Sequence, residues 1–208
     1  MMTMRRLWTH MPMKWLPVVL VLSGCTLLPS SPPVTFYRLP TPMLAPGPAP
    51  GMDMALRVTR PETSGLLSGT RIAVVPQDNQ LSVYQHARWV SSVPVLWRDQ
   101  LIESFQQDGR LRYVGSDNDN LRVDVELSGV LRAFQSEYRQ GQPVVIIRFD
   151  ARLVDPERRT ILASRRFDVG AVPQGTDVPA VVAAFGVAHE RLARELLDWL
   201  LVTGRHSR

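Results

Sequence analysis

The residue best placed to do chemistry in this chain is Cys25, which directly follows Leu22-Ser23-Gly24. A thiolate is a nucleophile. In this setting the chemistry is lipid attachment: an S-diacylglyceryl thioether on Cys25, cleavage between Gly24 and Cys25, and N-acylation of the new terminus with a fatty chain such as palmitate. Upstream stand Arg5, Arg6 and Lys14, then the apolar run Trp15 to Leu22. A positive segment, a short apolar stretch and small residues before a cut site make a secretory signal rather than a spanning helix. Eight apolar residues reach about 12 Å as helix, against roughly 30 Å of hydrocarbon. The alternative is an ordinary secreted protein with a chance cysteine. Cys25 is the only cysteine, so its conversion to a thioether leaves no disulfide, no cysteine metal site and no cysteine nucleophile. Thr26, not aspartate, follows it, which favours outer-membrane retention under enterobacteria-like sorting.

Other reactive constellations are incomplete. His189-Glu190 begins a zinc-protease pattern, but the fifth position is Ala193 instead of histidine. His86 and His206 lack ligand-like spacing, and His189 sits near the edge of a helical apolar stripe. Neither a Gly-x-Ser-x-Gly elbow nor a phosphate-binding glycine loop is present. Asp124 and Glu126 share a strand face, a geometry open to paired-carboxylate chemistry or simply to a solvated sheet surface. The expectation is no enzyme, no catalytic or metal-binding residues and no cofactor. Trp89, Trp97, Phe134, Tyr138 and Trp199 are the alternative functional candidates. Alternation puts Phe134 and Tyr138 on the face opposite Leu127 and Leu131, an outer apolar strip open to a partner.

Charge excludes one class. The full chain carries +5, but Arg5, Arg6 and Lys14 leave with residues 1–24, and 21 basic against 19 acidic residues remain. With that balance, in an envelope protein, nucleic acid is not a partner. Lys14 is the only lysine, so every later basic residue is arginine.

The elements that must position these residues follow from pattern. Residues 25–35 read as a Pro-rich tether, and Phe36-Tyr37-Arg38-Leu39 as a first strand. Residues 40–54, with five prolines and two glycines, read as a mobile loop or second linker. Extended segments follow at Leu56–Val58, Arg71–Val75, Gln80–Tyr84, Ala87–Val90 and Leu111–Val114. Between the last two lies a helix capped by Ser91 or Ser92, with Pro94 in its first turn and a stop at Gly109. From Leu121 a strand runs towards Tyr138, with Gly129 a bulge or bend. Gln140-Gly141-Gln142 then turns into a strand facing inward with Val145, Ile147, Phe149, Ala151 and Leu153. Asp155-Pro156-Glu157 turns again into Thr160–Val169, with Ile161, Ala163, Phe167 and Val169 inward, completing an antiparallel meander. A long helix capped by Thr176 or Asp177 ends at Gly204, leaving 205–208 as a tail.

Taken in order, the mature chain resembles the ABC-type transport auxiliary lipoproteins, the PqiC-like family. The resemblance rests on Phe36-Tyr37-Arg38-Leu39, Arg71-Ile72-Ala73-Val74, Ala87-Arg88-Trp89, Val95-Leu96, Leu101-Ile102, Phe134 to Tyr138, Ala151 to Asp155, Ala183-Ala184-Phe185 and Ala188. Val93-Pro94-Val95 departs from the acidic or small residue that more often precedes this proline in the family. The resemblance implies a three-layer α/β domain over residues 36–204 with a mixed sheet and two main helices, similar to the N-terminal domain of TolB. It also implies a non-catalytic auxiliary subunit in the periplasm, anchored to the outer membrane. Its partner would be an MCE-domain protein of an ABC system that moves phospholipid or other hydrophobic molecules and supports envelope integrity. A homo-oligomeric ring matching the partner's ring fits symmetry. The alternative is a stand-alone lipid-binding shuttle. Candidate partner-contacting residues are Phe134, Tyr138, Gln140, Gly141 and Gln142, with Gly170-Ala171-Val172-Pro173 nearby.

Overall fold

The structure, a computed structural model, describes residues 32–41, 44 and 51–206. Gly24, Cys25, the signal segment and most of the tether lie outside the described residues. The strands are β1 (Thr35–Tyr37), β2 (Met52–Val58), β3 (Arg71–Gln77), β4 (Gln80–Trp89), β5 (Leu111–Ser116), β6 (Val125–Arg139), β7 (Gln142–Asp155) and β8 (Thr160–Ala171). The helices are α1 (Val93–Asp108) and α2 (Val178–His206). This is the expected α/β architecture of an eight-stranded mixed sheet with two main helices, consistent with a three-layer α/β domain.

β6 organises the sheet. Along its whole length it pairs with antiparallel β7, which pairs with β8. Its other edge is shared between two neighbours. Val125–Leu127 pair with parallel β2, which carries β5, and Gln135–Glu137 pair with parallel β3, which carries β4 and β1. Between those neighbours the β6 backbone finds irregular partners. The Thr59 N–H donates to the Leu127 carbonyl, the Glu62 N–H to the Gly129 carbonyl, and the Leu131 N–H to the Glu62 carbonyl, at 3.0, 2.9 and 2.9 Å. The exposed middle of a central strand is thereby satisfied without a ninth strand.

Helix ends follow local chemistry. Ser92 occupies the N-cap of α1 in extended conformation, Pro94 lies in the first turn, and Gly109 closes the helix at φ 73°. Asp177 caps α2, its Oδ1 accepting the Ala180 N–H at 3.0 Å. A salt bridge ties the helices together. Arg110, just past α1, donates to both Asp108 carboxylate oxygens at 2.6 and 3.0 Å and to Asp198 of α2 at 2.9 Å.

Several expectations are corrected. Gln80–Tyr84 and Ala87–Trp89 belong to one strand, β4, interrupted by His86 at φ 57°, and Val90 lies just past its end. β6 starts at Val125, and Leu121 is exposed, its carbonyl taken by the Arg57 guanidinium. The segment 40–54 is not wholly a linker: Met52–Met54 open β2, Leu44 is buried, and Pro40 packs against Gly186 of α2. Gly204 does not end α2, which continues through Arg205 to His206. A Cβ at Gly204 would stand 3.2 Å from the Met52 sulfur, so this glycine serves close packing against β2. Ile161 is 61% exposed because the β7–β8 register slips between Leu153 and Val154.

The most consequential correction is Phe134. Leu131 pairs with Phe149 and Ala133 with Arg148, so Arg132 is an extra residue in β6. A one-residue bulge reverses which side chains face inward beyond it. Phe134 is therefore fully buried, its ring 5.7 Å from Trp89 and 4.7 Å from Phe185. Trp89 meets Phe185 edge-on at 5.2 Å, and Trp97 lies 4.4 Å from Phe149. These rings fill the space between sheet and helices.

His189 of α2 is fully buried beside the Gln100 carbonyl of α1. That carbonyl already accepts the Ser104 hydroxyl at 2.6 Å, and neither ring nitrogen completes a well-formed hydrogen bond. Burial pushes its pKa down to about 4, the Gln100 carbonyl offsetting part of the effect. The unfolded chain takes up this proton near pH 6.5 while the fold refuses it until about pH 4. Stability is therefore fully present above pH 6.5 and declines as pH falls towards 4. Urea titrations should show a loss of about 2 kcal/mol between pH 7.5 and 5, absent in His189→Leu. Equal slopes in both proteins would refute this. A second expectation concerns Gly129, at φ 155°, where a Cβ would run into the Asp150 carbonyl and stand 2.7 Å from the Phe149 ring. Gly129→Ala should destabilise by about 3 kcal/mol, read as a lowered urea midpoint. Gly141→Ala, in open space on the hairpin turn, should cost about 1 kcal/mol.

Candidate partner surface

The hairpin between β6 and β7 gathers the other residues singled out by sequence. Arg139 pairs with Gln142 across a two-residue turn, with Gln140 at φ 51° and Gly141 at φ 79°. Both values are positive, as a type I′ turn requires. Val75 of β3 is level with Glu137, and Val145 of β7 with Ala171 of β8. The Asp78-Asn79 turn of β3–β4 and the loop from Val172 into α2 thus reach the same end of the sheet as the hairpin. Val172 is among the most exposed large apolar residues.

The ordered polar groups at this end are few. Tyr84 Oη and Ser136 Oγ share a hydrogen bond at 2.8 Å. Burial raises the Tyr84 pKa, opposed by Ser136 and assisted by Tyr138 nearby. Glu137 accepts Arg139 at 3.0 Å and the Gln135 amide at 3.1 Å. An open hollow lies between Val75, Asp78, Asn79, Leu81, Gln135 and Glu137. Gln140, Gly141 and Gln142 share this turn, while Phe134 is withdrawn into the core and Tyr138, beyond the same bulge, is turned to the inner face with it and is half-buried. Tyr84 and the Asp78-Asn79 turn were missed, although Asn79 at φ 63° follows a readable turn signal.

The opposite end of the sheet holds a second hollow of about 270 Å³. Met54, Val123, Val125, Leu162 and Gly204 form its floor, and Arg122, Asp124, Asp155, Glu157 and Arg158 its rim. Its charges are committed to structure. Arg122 pairs with Glu157, and Arg158 with Asp155 at 3.1 Å. Asp155 also accepts the backbone N–H groups of Arg158 and Glu157, which lower its pKa. Asp124 and Glu126 form no dyad. Asp124 accepts the Ala55 N–H at 2.7 Å and Arg112 at 3.2 Å, whereas Glu126 faces Arg57 at 3.6 Å. Among the described residues no group of three or more His, Cys, Asp or Glu is placed to hold a metal ion. No described helix is long and apolar enough to cross a membrane.

Comparison with known proteins agrees with this architecture. Residues 37–196 match the family described as ABC-type transport auxiliary lipoprotein component. The crystal structure of protein XCC0632 from Xanthomonas campestris superposes with a TM-score of 0.78 at 30% identity, covering 84% of this chain and 98% of that one. A second crystal structure, of an uncharacterized protein, gives a TM-score of 0.63 at 17% identity, covering 81% and 99%, and supports the fold alone. An uncharacterized protein of Bradyrhizobium diazoefficiens is 26% identical over 166 residues, 80% of this chain. The chain spans 44% of that relative's length. This chain belongs to the ABC-type transport auxiliary lipoprotein family.

Proposed function

We propose that the protein is a non-catalytic docking subunit, anchored through acylated Cys25 to the periplasmic face of the outer membrane. The Pro-rich tether gives the domain reach. The domain receives the end of an MCE-domain protein from an ABC system that moves phospholipid or another hydrophobic molecule. The partner-facing surface in this reading is the end formed by Tyr138, Gln140, Gly141 and Gln142, and a homo-oligomeric ring would match a ring-shaped partner.

One observation favours docking over a lipid-carrying shuttle. A shuttle needs an apolar cavity that encloses most of its cargo. Here Trp89, Phe134 and Phe185 pack on one another, with Trp97 against Phe149, between the sheet and the helices. The hollows at the two ends of the sheet are open and rimmed by charged or amide side chains.

The test is photo-crosslinking in the native envelope, with the crosslinker at Gln140 or Gln142 of the full chain and mass spectrometry of bound protein and lipid. Crosslinks to an MCE-domain protein without stoichiometric lipid are expected. Stoichiometric phospholipid without that partner would replace docking by the shuttle. In parallel, Cys25→Ala should leave the precursor uncut at Gly24 and remove the acyl mass from its N-terminal peptide.

A further inference from the structure

On most of the outer face of the sheet, arginine is neutralised. Asp150 accepts Arg166 at 2.5 and 3.0 Å and Arg132 at 2.9 Å, and these bonds hold its carboxyl far below the usual range. Arg148 meets Asp168 at 2.6 Å, and Arg152 meets Glu62 at 2.7 Å. Arg57 and Arg139 also face carboxylates.

One stretch departs from this pattern. Arg71 stands directly opposite Arg88 in the β3–β4 pair, and Phe36 opposite Arg88 in the β1–β4 pair. Paired positions share a sheet face, so the three side chains form a row across three strands. Their neighbours Ala87 and Trp89 take the other face and are buried, so the row points away from the core. Arg88 donates to the Ala87 carbonyl at 2.8 Å. The ion pairs among the described residues leave Arg38, Arg71 and Arg88 without a carboxylate, as they do Arg159, Arg165, Arg191 and Arg205 elsewhere, but only the first three gather at one row. Exposed apolar groups accompany them: Phe36 is 64% exposed, Val90 49% and Val34 43%.

Like charges directly opposite on paired strands are destabilising, as is an apolar ring left in water. An anionic surface with an apolar layer beneath relieves both. Guanidinium binds phosphate bidentately, and an aromatic ring settles at the headgroup boundary. Chain position points the same way. β1 begins ten residues after Cys25, a tether of about 30 Å when extended. The row therefore begins at Phe36 on β1, the first described element after the anchor.

We propose that the row of Phe36, Arg88 and Arg71, flanked by Val34, Arg38 and Val90, is a membrane-contact face that binds anionic phospholipid headgroups. The inference rests on the anchor at Cys25 and adds which face of the domain lies on the bilayer.

The acylated chain, purified from the envelope, is reconstituted on vesicles of phosphatidylcholine with or without phosphatidylglycerol. Because Cys25 is blocked as a thioether, Val34→Cys and Ile161→Cys each provide a single thiol for a fluorophore, quenched by brominated lipid. Ile161 lies on β8, at the edge of the sheet opposite β1. Quenching is expected at position 34 on anionic vesicles, weakly on neutral ones, and not at 161. Arg71→Gln and Arg88→Gln should each weaken the contact roughly fivefold. An acylated protein that floats with vesicles without quenching at 34, or with equal quenching at both positions, overturns the face and leaves the anchor standing. A chain with no acyl mass that stays off both vesicles overturns the anchor and the face with it.

Discussion

The structure depends on β6 serving three neighbours at once. A strand has two edges, and one of these is given wholly to β7. The other is too long for either β2 or β3 alone, so each takes a stretch of three residues, and Thr59 and Glu62 close the interval by backbone bonds. Gly129 and the extra residue Arg132 both lie in or beside that interval. The sheet therefore changes partners where the strand is least regular. A bulge increases local twist, which lets two half-sheets leave the same strand in different directions. The buried faces of both halves still converge on one core with α1 and α2.

This constraint explains what was legible in the sequence. The helices could be read because Pro94, Gly109 and Asp177 act within a turn of themselves, and the meander because its turns are local too. Phe134 was misplaced because parity was counted through Arg132, and no residue nearby announces the extra position. Ile161 failed for the same reason in β8. His86 adopts a left-handed backbone without being glycine, and only pairing with β1 and β3 makes β4 one strand across it. Gly204 looked like a stop because helix-ending glycine is common. The reason for its presence is Met52, some 150 residues earlier in the chain. At the candidate surface, Gln140 to Gln142 were found through the turn signal, whereas Tyr138 was placed by the same parity that misplaced Phe134. Tyr84 was not found, because it comes from a different hairpin.

The same distinction separates interior from surface charge. Arg110 is buried and keeps its charge because Asp108 engages it bidentately and Asp198 takes a third N–H. Breaking such a pair strands a buried charge, so it acts as a specific clasp between α1, β5 and α2. His189 has no such partner and remains neutral instead, between the same two helices. The interface between α1 and α2 is therefore the acid-sensitive part of the core.

In the proposed docking role the two ends of β3 would carry different duties. β1 and β4 are parallel and meet at Thr35–Tyr37 and Ala87–Trp89, so the chain enters beside the unpaired arginines. β3 starts there at Arg71 and runs to Gln77, about 20 Å at a strand's rise, to the end that carries the β3–β4, β6–β7 and β8–α2 connections. The first end is charged and apolar, its arginines without a carboxylate among the described residues; the second is made of turns whose backbones are already fixed. A tether attached at the first end leaves the second free. In that role, a chain entering beside the hairpins would instead draw those loops towards the bilayer. Strand order would thus let one small domain, in the proposed role, face a membrane and a protein together.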